Sequence, residues 1–168
     1  MAVVASASAG LRAAGRATIL QLRAPELSAR AIEAHANELV SSSPVPVLVS
    51  SRCDIALAAG AAGVNLPERD IGVEDARALV GPRLVGCSVH SLESAVQAER
   101  QGADFVIFGP VWSSLSHPDS NPAGLEALAE VARALRIPVL AIGGVSQERI
   151  AECHDAGAAG YAAIRLFQ

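Results

Sequence analysis

The sequence has few of the residue patterns that mark several large classes of protein. Only 3% of its 168 residues are aromatic, the formal net charge is −4, and no cluster of basic residues is present. Because nucleic-acid binding depends on Lys and Arg patches that neutralise phosphates, we expect no nucleic-acid partner. No apolar run approaches the ~20 residues that a membrane-spanning helix needs, so we expect no membrane segment.

Paired cysteines and a dinucleotide-binding motif are also missing. Cys53, Cys87 and Cys153 form an odd and widely spaced set without a CxxC pair. Such cysteines are typical of a reducing compartment, so we expect three free, buried thiols and a cytoplasmic location. No GxGxxG follows the first apolar run, which leaves a dinucleotide-binding fold without support.

Short apolar runs separated by helical segments are abundant instead. Hydrophobic residues make up 51% of the chain, and seven runs predict β-strands, at residues 18–22, 46–50, 62–65, 84–88, 105–109, 138–142 and 160–164. Runs that are apolar on both faces indicate a parallel sheet that is buried on both sides. Repeated β–α units in a single domain, residues 1–168, predict a (β/α)8 TIM barrel.

The number of predicted strands is one short of a complete barrel. Residues 4–15 are rich in small side chains and predict a helix, so the chain would begin in the helix that follows the first strand. A barrel without that strand would leave two unpaired edges. We therefore expect an upstream start, although a partner chain or an irregular segment would also close the gap.

The stretch from Leu84 to Trp112 shows the repeating unit most clearly. A strand is followed at Ser91 by a helix that ends near Gly102, and the buried run FVIFG comes next. A hydroxyl at the start and a glycine at the end are typical helix boundaries. Ligands of parallel sheets bind at the carboxyl ends of the strands. The polar residues at the two strand ends of this unit are Ser88, His90, Ser113 and Ser114.

Two further pairs of strand ends suggest ligand contacts. Gly143 and Gly144 follow a buried strand, and Ile164 and Arg165 end the last one. Loops at these places in (β/α)8 barrels often hold phosphate, since glycine lets backbone N–H groups approach the oxygens. The alternative is a tight turn beside a surface arginine.

Gln21 and Arg23 lie two residues apart at the end of the first predicted strand and so share a face. They are candidates for binding an anionic or heterocyclic ligand, or for a salt bridge at the rim with Asp54 or Asp70. For proton transfer, His117 in the polar loop is the histidine that we consider. Asp70 alone is a poor magnesium site, and the sequence shows no Ser-His-Asp set or metal-ligand cluster.

Several of these segments together resemble one family. SVHSLESAVQAERQGADFVIFGPVW, with QLR at 21–23, RCDIALAAGAAGVNL, AIGGV and GAAGYAAI, is similar to the thiamine-phosphate synthase/TenI family over about residues 10–167. The resemblance implies a (β/α)8 barrel that handles thiazole and pyrimidine phosphates, and a homodimer. The segment SVHSLESAVQAE is closest to the TenI branch, whose activity is thiazole tautomerisation, an aromatising proton shift.

The chain departs from the family pattern where a synthase meets pyrophosphate and metal. The pattern QLREK becomes Gln21-Leu22-Arg23-Ala24-Pro25, so the lysine that meets pyrophosphate is absent. Ser50 and Ser51 replace an Asn-Asp pair whose Asp binds magnesium. Asp70 retains the second metal aspartate, and Asn65 replaces the histidine of the GVHL pattern.

The loop after the fifth predicted strand also differs from both branches. The pattern GPVFPTPTK keeps hydroxyls at Ser114 and Ser116, but His117 replaces its lysine. The TenI tautomerase has a catalytic histidine directly after the glycine, where this chain has Pro110. Arg165 replaces the serine expected at the last strand end.

These differences favour a barrel that binds a thiazole or related phosphate and isomerises it. Phosphate would lie at Gly143, Gly144, Ile164 and Arg165. The ring pocket would be lined by Gln21, Arg23, Ser88, Ser114 and Ser116. His117 would carry the proton, with His90 as a substitute. We expect no cofactor, and Mg²⁺, at Asp70, only if synthase activity is retained. A synthase and a non-catalytic phosphate-binding barrel are the alternatives.

Overall fold

In a computed structural model of the chain, residues 1–113 and 121–168 are described. Within these ranges the strands form one parallel eight-stranded sheet, in the order of the chain. The strands are Ala2–Val4 (β1), Leu20–Leu22 (β2), Val47–Ser50 (β3), Gly63–Leu66 (β4), Leu84–Val89 (β5), Phe105–Phe108 (β6), Val139–Ala141 (β7) and Gly160–Tyr161 (β8). The architecture is the predicted (β/α)8 barrel.

Helices connect the successive strands. They are Ala7–Ala13 (α1), Ala29–Ser42 (α2), Cys53–Ala58 (α3), Val73–Val80 (α4), Leu92–Arg100 (α5), Gly124–Ala134 (α6) and Ile150–Asp155 (α7). The side chains of Ser28 and Ser91 accept hydrogen bonds from the first turns of α2 and α5 and so begin these helices, as the hydroxyl pattern predicts. None of the helices in the described ranges is both long and apolar enough to cross a membrane.

The expectation that the first strand is missing is wrong. Ala2–Val4 pairs in parallel with β2, with Val3 opposite Gln21. On the other side, the Val3 N–H donates to the Ala163 carbonyl at 2.9 Å, and the Ala163 N–H donates to the Met1 carbonyl at 3.1 Å. These bonds close the sheet on itself, so the barrel needs neither an upstream strand nor a partner chain to close it. A strand of three residues directly before a helix is too short to produce a pattern of its own.

Two other boundaries differ from the sequence prediction. The last strand, expected over residues 160–164, is limited to Gly160–Tyr161, and a 3-10 turn at Arg165–Phe167 follows it. Ser146, a helix-capping residue, predicts a helix over residues 147–156, and the structure divides this segment into a 3-10 turn, Gln147–Arg149, and α7. The other six predicted strands are confirmed to within two residues at each end.

The apolar core has two parts, one between the sheet and the helices and one inside the barrel. The barrel interior is filled by Met1, Val3, Leu48, Phe105, Ile107 and Ala162, all buried. The Phe105 ring lies over Gly86 on the neighbouring strand, so close that a β-carbon on Gly86 would lie 2.1 Å from Cζ of Phe105. The interior is therefore a packed layer that forms the floor beneath the carboxyl ends of the strands.

At the opposite, amino-terminal end of the barrel, Arg77 joins two loops. Its guanidinium donates to the carbonyls of Gly81, Arg83 and Gly102 and to the Asp104 carboxylate. We expect Arg77→Met to lower the free energy of unfolding by about 2 kcal/mol, because three carbonyls and a carboxylate lose a charged donor. Urea denaturation measures this loss. The control Arg133→Met, on the exposed face of α6, should change stability little.

The three cysteines are free and buried, as the sequence predicts. Burial raises the pKa of each thiol, and for Cys87 burial and the Glu68 carboxylate raise it to about 11. Because the thiolate is the reactive form, we expect the folded protein to resist Ellman's reagent at mildly alkaline pH. The same sample should release three equivalents in denaturant, and rapid reaction of the folded protein would contradict this.

Candidate active site

A cavity of about 530 Å³ opens at the carboxyl ends of the strands. Most of its described polar side chains come from β2 to β5 and the loops after them, and one comes from the loop after β6. Its apolar walls come from the barrel interior and the β6 and β7 loops. The polar side chains in the walls belong to Gln21, Arg23, Ser50, Asn65, Glu68, Ser88, His90 and Asn121. The cavity lies where ligands of (β/α)8 barrels bind.

The cavity brings together six of the site residues predicted from sequence. Gln21, Arg23, Ser88, Gly143 and Ile164 all line it, and so does His90, the expected substitute for His117. Their strand ends converge because all eight strands run in the same direction.

The other predicted residues lie elsewhere. Gly144 and Arg165 are not in the described walls, and Arg165 is exposed. Asp70 is exposed and also outside the walls. Ser114, Ser116 and His117 fall outside the described residues, so their roles stay predictions.

The turn after β7 is closely packed and carries backbone N–H groups that can donate hydrogen bonds to a ligand. Gly143 and Gly144 have φ of 91° and 65°, which only glycine adopts readily. A β-carbon on Gly143 would lie 2.5 Å from Cβ of Pro110, so the turn also needs glycine for packing. The N–H groups of Gly143, Gly144, Ile164 and Arg165 make no hydrogen bond to the backbone of the described residues. Four N–H groups on adjacent loops are suited to binding phosphate oxygens.

Arg149 holds the outer part of this turn. Its Nη1 donates to the Gly144 carbonyl at 2.8 Å, and its guanidinium lies 4.9 Å from the centre of the Trp112 ring. The Trp112 N–H in turn donates to the Gly143 carbonyl at 3.1 Å. With both glycine carbonyls occupied by donors on the outer side, the conformation of the turn is fixed.

Two amide side chains line the inner part of the cavity. Gln21 and Asn65 are only 3% and 2% exposed, although both are polar. The Asn65 Nδ2 donates to the Ser88 Oγ at 3.0 Å, while Asn65 Oδ1 is buried without a partner in the described residues. A buried polar atom normally has a hydrogen-bond partner, so this oxygen marks a place for a ligand or a water.

His90 and Glu68 form a second polar pair at the cavity. His90 Nδ1 is hydrogen-bonded to the Gly109 carbonyl, and its Nε2 lies 3.9 Å from Glu68 Oε2. A carbonyl can only accept, so Nδ1 carries a proton and Nε2 is the nitrogen that can take up another. The helix that follows is capped by Ser91, so the His90 side chain is not used as its cap.

Glu68 could not be recognised from sequence, because a single carboxylate in a loop has no distinctive pattern. Its position one residue after Pro67, at the end of a buried strand, was the available signal.

The described residues do not fit a magnesium site built on protein carboxylates. Asp70 Oδ1 accepts a hydrogen bond from the Ile71 N–H of its own loop, at 2.8 Å. Arg52 pairs with Asp54 through two hydrogen bonds and lowers the pKa of that carboxyl to about 2. Within the described ranges, no three His, Cys, Asp or Glu residues are grouped to hold a metal ion. Arg52, rather than Arg23, is therefore the partner of Asp54.

Comparison with known proteins agrees with this architecture. The family model described as thiamine monophosphate synthase (TMP-TENI) matches residues 3–167. A putative thiamine-phosphate synthase 2 of Aquifex aeolicus is 40% identical over 152 residues, which are 89% of this chain and 82% of the relative. A thiamine-phosphate synthase of Chloroflexus aurantiacus is 39% identical over 154 residues, 89% of this chain and 71% of the relative.

The fold of this chain also matches that of a solved structure. The thiamine phosphate pyrophosphorylase from Pyrococcus furiosus superposes with a TM-score of 0.89 at 30% identity, over 97% of this chain and 83% of that one. The Aquifex and Chloroflexus relatives have synthase names, so the finer placement in the TenI branch is not confirmed. With a family match over nearly its whole length and an eight-stranded parallel barrel, the chain belongs to the thiamine-phosphate synthase/TenI family.

Proposed function

We propose that the chain binds a thiazole or related heterocyclic phosphate in the cavity and isomerises it by proton transfer. The observation that carries this proposal is the His90–Glu68 pair in the wall of a cavity that also has a turn suited to phosphate. General acid–base catalysis needs a titratable group within reach of the bound ligand. His90 is such a group, and its role does not depend on residues outside the described ranges.

Each part of the site has a separate role in this reaction. The N–H groups of Gly143 and Ile164 hold the phosphate, and Arg23 supplies positive charge from the β2 side. The Gly109 carbonyl fixes the His90 ring by accepting from Nδ1, so Nε2 takes the proton from the ligand and returns it at another atom. Glu68, 3.9 Å from Nε2, forms an ion pair with the imidazolium while it holds the proton.

Thiamine-phosphate synthesis is the second candidate, and the names of the relatives favour it. That reaction joins a pyrimidine pyrophosphate to a thiazole phosphate and must stabilise a pyrophosphate leaving group. Arg23 is the arginine in the described cavity wall, and the sequence has no lysine at all. Ser50 and Ser51 are neutral at the strand end where the family pattern has Asn-Asp. The described site therefore supports proton transfer better than departure of pyrophosphate.

Parallel assays distinguish the two functions. The protein is incubated with the non-aromatic thiazole carboxylate phosphate, and aromatisation is followed by ultraviolet absorbance. In a second assay it receives the pyrimidine pyrophosphate, the thiazole phosphate and Mg²⁺, and thiamine phosphate is measured. We expect a rate above buffer in the first assay and none in the second. The reverse result would replace the isomerase proposal with the synthase.

A double substitution tests whether the chain lacks synthase activity because residues of the synthase pattern have been replaced. Ser51→Asp and Pro25→Lys together restore two residues of the synthase pattern. Ser51 has a φ of 66°, a conformation that Asp tolerates better than most residues, so the change is compatible with the backbone. We expect measurable thiamine phosphate only in the double variant. No product in either protein, with isomerisation intact, would favour the first function.

The homodimer expected from the family resemblance stays a prediction. Leu57 on α3 and Leu79 on α4 are 39% and 56% exposed. Isolated apolar side chains are common on protein surfaces and do not identify an interface. Sedimentation equilibrium of the full chain measures the oligomeric state directly.

A further inference from the structure

Three successive peptide groups of the turn after β7 have their carbonyls occupied by donors from outside the turn. The carbonyls of Ile142 and Gly143 accept from backbone N–H groups of the loop after β6, at 2.8 and 3.1 Å. The Gly144 carbonyl accepts from Nη1 of Arg149 at 2.8 Å. Two of these bonds therefore depend on the backbone alone, and the third depends on one side chain.

The same bonds set the direction of the N–H groups in the turn. In a planar trans peptide the C=O and N–H bonds point in opposite directions. The N–H groups of Gly143, Gly144 and Val145 belong to these three peptides, so each points away from the donor that holds its carbonyl. None of the three donates to a backbone carbonyl of the described residues. Gly143 lines the cavity, so the orientation of the turn decides how well its N–H groups bind an anion.

Arg149 is itself held in place by an aromatic ring. Its guanidinium lies 4.9 Å from the centre of the Trp112 ring, within the range of a cation–π interaction. The Arg149 N–H donates to the Ser146 carbonyl at 3.0 Å, which fixes the backbone that carries the side chain. Arg149 is half-buried and is not in the described walls of the cavity, so it acts on the turn and not on the ligand.

We infer that Arg149 and Trp112 are a positioning pair that holds the turn after β7 in its anion-binding conformation. The inference rests on the proposed function, in which the Gly143 N–H binds the phosphate of the ligand. Gly143 and Gly144 have φ of 91° and 65°, and glycine reaches many other conformations at little cost. Without Arg149 the 144–145 peptide is free to rotate. The N–H groups then have to be ordered when the anion binds, which lowers the affinity.

The experiment measures the affinity of the full chain for inorganic phosphate by phosphorus NMR titration. Arg149→Met removes the donor, and we expect about fivefold weaker binding, as for one lost hydrogen bond. Arg149→Lys keeps a charged donor on a slightly shorter side chain and should recover most of the affinity. Arg133→Met removes an equal charge at the opposite end of the barrel and should change the affinity little. Wild-type affinity in Arg149→Met would overturn the inference.

Variants at Trp112 exclude a purely electrostatic effect, because they leave every charge in place. Trp112→Leu removes the ring beside the Arg149 guanidinium and keeps the backbone N–H that holds the Gly143 carbonyl. We expect about threefold weaker phosphate binding in Trp112→Leu, and a smaller loss in Trp112→Phe, which keeps an aromatic face. Unchanged affinity in Trp112→Leu would show that the ring has no part in positioning. These variants also test the inference if Arg149→Met does not fold.

Kinetics of the isomerisation separate positioning from a general loss of folded protein. A turn that binds the substrate and the transition state equally well should raise KM about fivefold in Arg149→Met and leave kcat nearly unchanged. A smaller folded fraction would instead lower kcat and leave KM unchanged, and this result would overturn the inference.

Phosphate binding also distinguishes failure of this inference from failure of the proposed function. If the Arg149 and Trp112 variants bind phosphate more weakly than the wild-type protein and none of them isomerises the thiazole, the inference stands and the isomerase is wrong. If all of them bind phosphate equally and isomerisation proceeds, only the inference is wrong. If the wild-type protein binds no inorganic phosphate, the inference and the phosphate part of the proposed function are both wrong.

Discussion

Replacing His90 with Asn should lower the rate constant kcat of isomerisation about 10²–10³-fold, within the range typical of a lost general acid–base group. The Asn amide can still donate to the Gly109 carbonyl, as His90 Nδ1 does, so the loop geometry is retained. What disappears is Nε2, the nitrogen that takes up the proton. Because binding groups are unchanged, KM should stay within about threefold. Steady-state kinetics with the thiazole carboxylate phosphate measure both constants.

Two further variants make this test specific. Glu68→Gln should reduce kcat about tenfold, since it weakens the ion pair with the imidazolium without removing the proton carrier. His154→Asn, a surface histidine on α7, is the matched control and should leave the rate unchanged. If His90→Asn is fully active and His117→Asn is inactive, the proton carrier is His117 and the role given to His90 is wrong.

Gly86→Ala should lower the free energy of unfolding by about 3 kcal/mol, at the upper end of the cost of overpacking a core. The added β-carbon would lie 2.1 Å from Cζ and 2.4 Å from Cε2 of Phe105. Phe105 is 7% exposed and packs inside the barrel, so its ring cannot move into solvent without opening the core. Urea denaturation, followed by circular dichroism, gives the difference in free energy.

Two further substitutions test whether the clash with Phe105 causes the loss of stability. One is a control at another glycine, and the other shortens Phe105 itself. A β-carbon added at Gly15 would have no atom within 4 Å, so Gly15→Ala should be neutral or slightly stabilising. Phe105→Leu, which shortens the opposing side chain, should recover most of the stability lost in Gly86→Ala. A double-mutant cycle measures this coupling. Equal stability of Gly86→Ala and the wild-type protein would show that the ring moves aside at no cost.

Most of the fold could be predicted from sequence, because each prediction depended on neighbouring residues only. Apolar runs such as residues 84–88 identify buried parallel strands, since a strand covered on both faces has no polar side to alternate with. The hydroxyls of Ser28 and Ser91 identify helix starts, because the cap bonds a backbone N–H within the same turn. The strand at Ala2–Val4 could not be predicted because its three residues show no pattern of their own, and the residue that closes the barrel against it, Ala163, is far along the chain.

In the candidate site, too, the sequence predicted some features and missed others. Gln21, Arg23, Ser88 and Gly143 could be placed at the cavity from sequence, because each lies at or just after the carboxyl end of a recognisable strand. Arg165 also follows one, yet its side chain is exposed, because a 3-10 turn begins directly after the short last strand. The position of a residue in sequence gives the strand end but not the direction of the side chain.

Sequence patterns were sufficient for the parallel barrel, the carboxyl-end position of the site and the family, since these follow from local periodicity and motif spacing. The three-dimensional arrangement was needed for closure of the barrel, for the contact between His90 and Glu68, and for the unsatisfied oxygen of Asn65. Glu68 and His90 are 22 residues apart and belong to loops after different strands. Their contact depends on how neighbouring strands pair, and the burial of Asn65 depends on closure of the whole barrel around it.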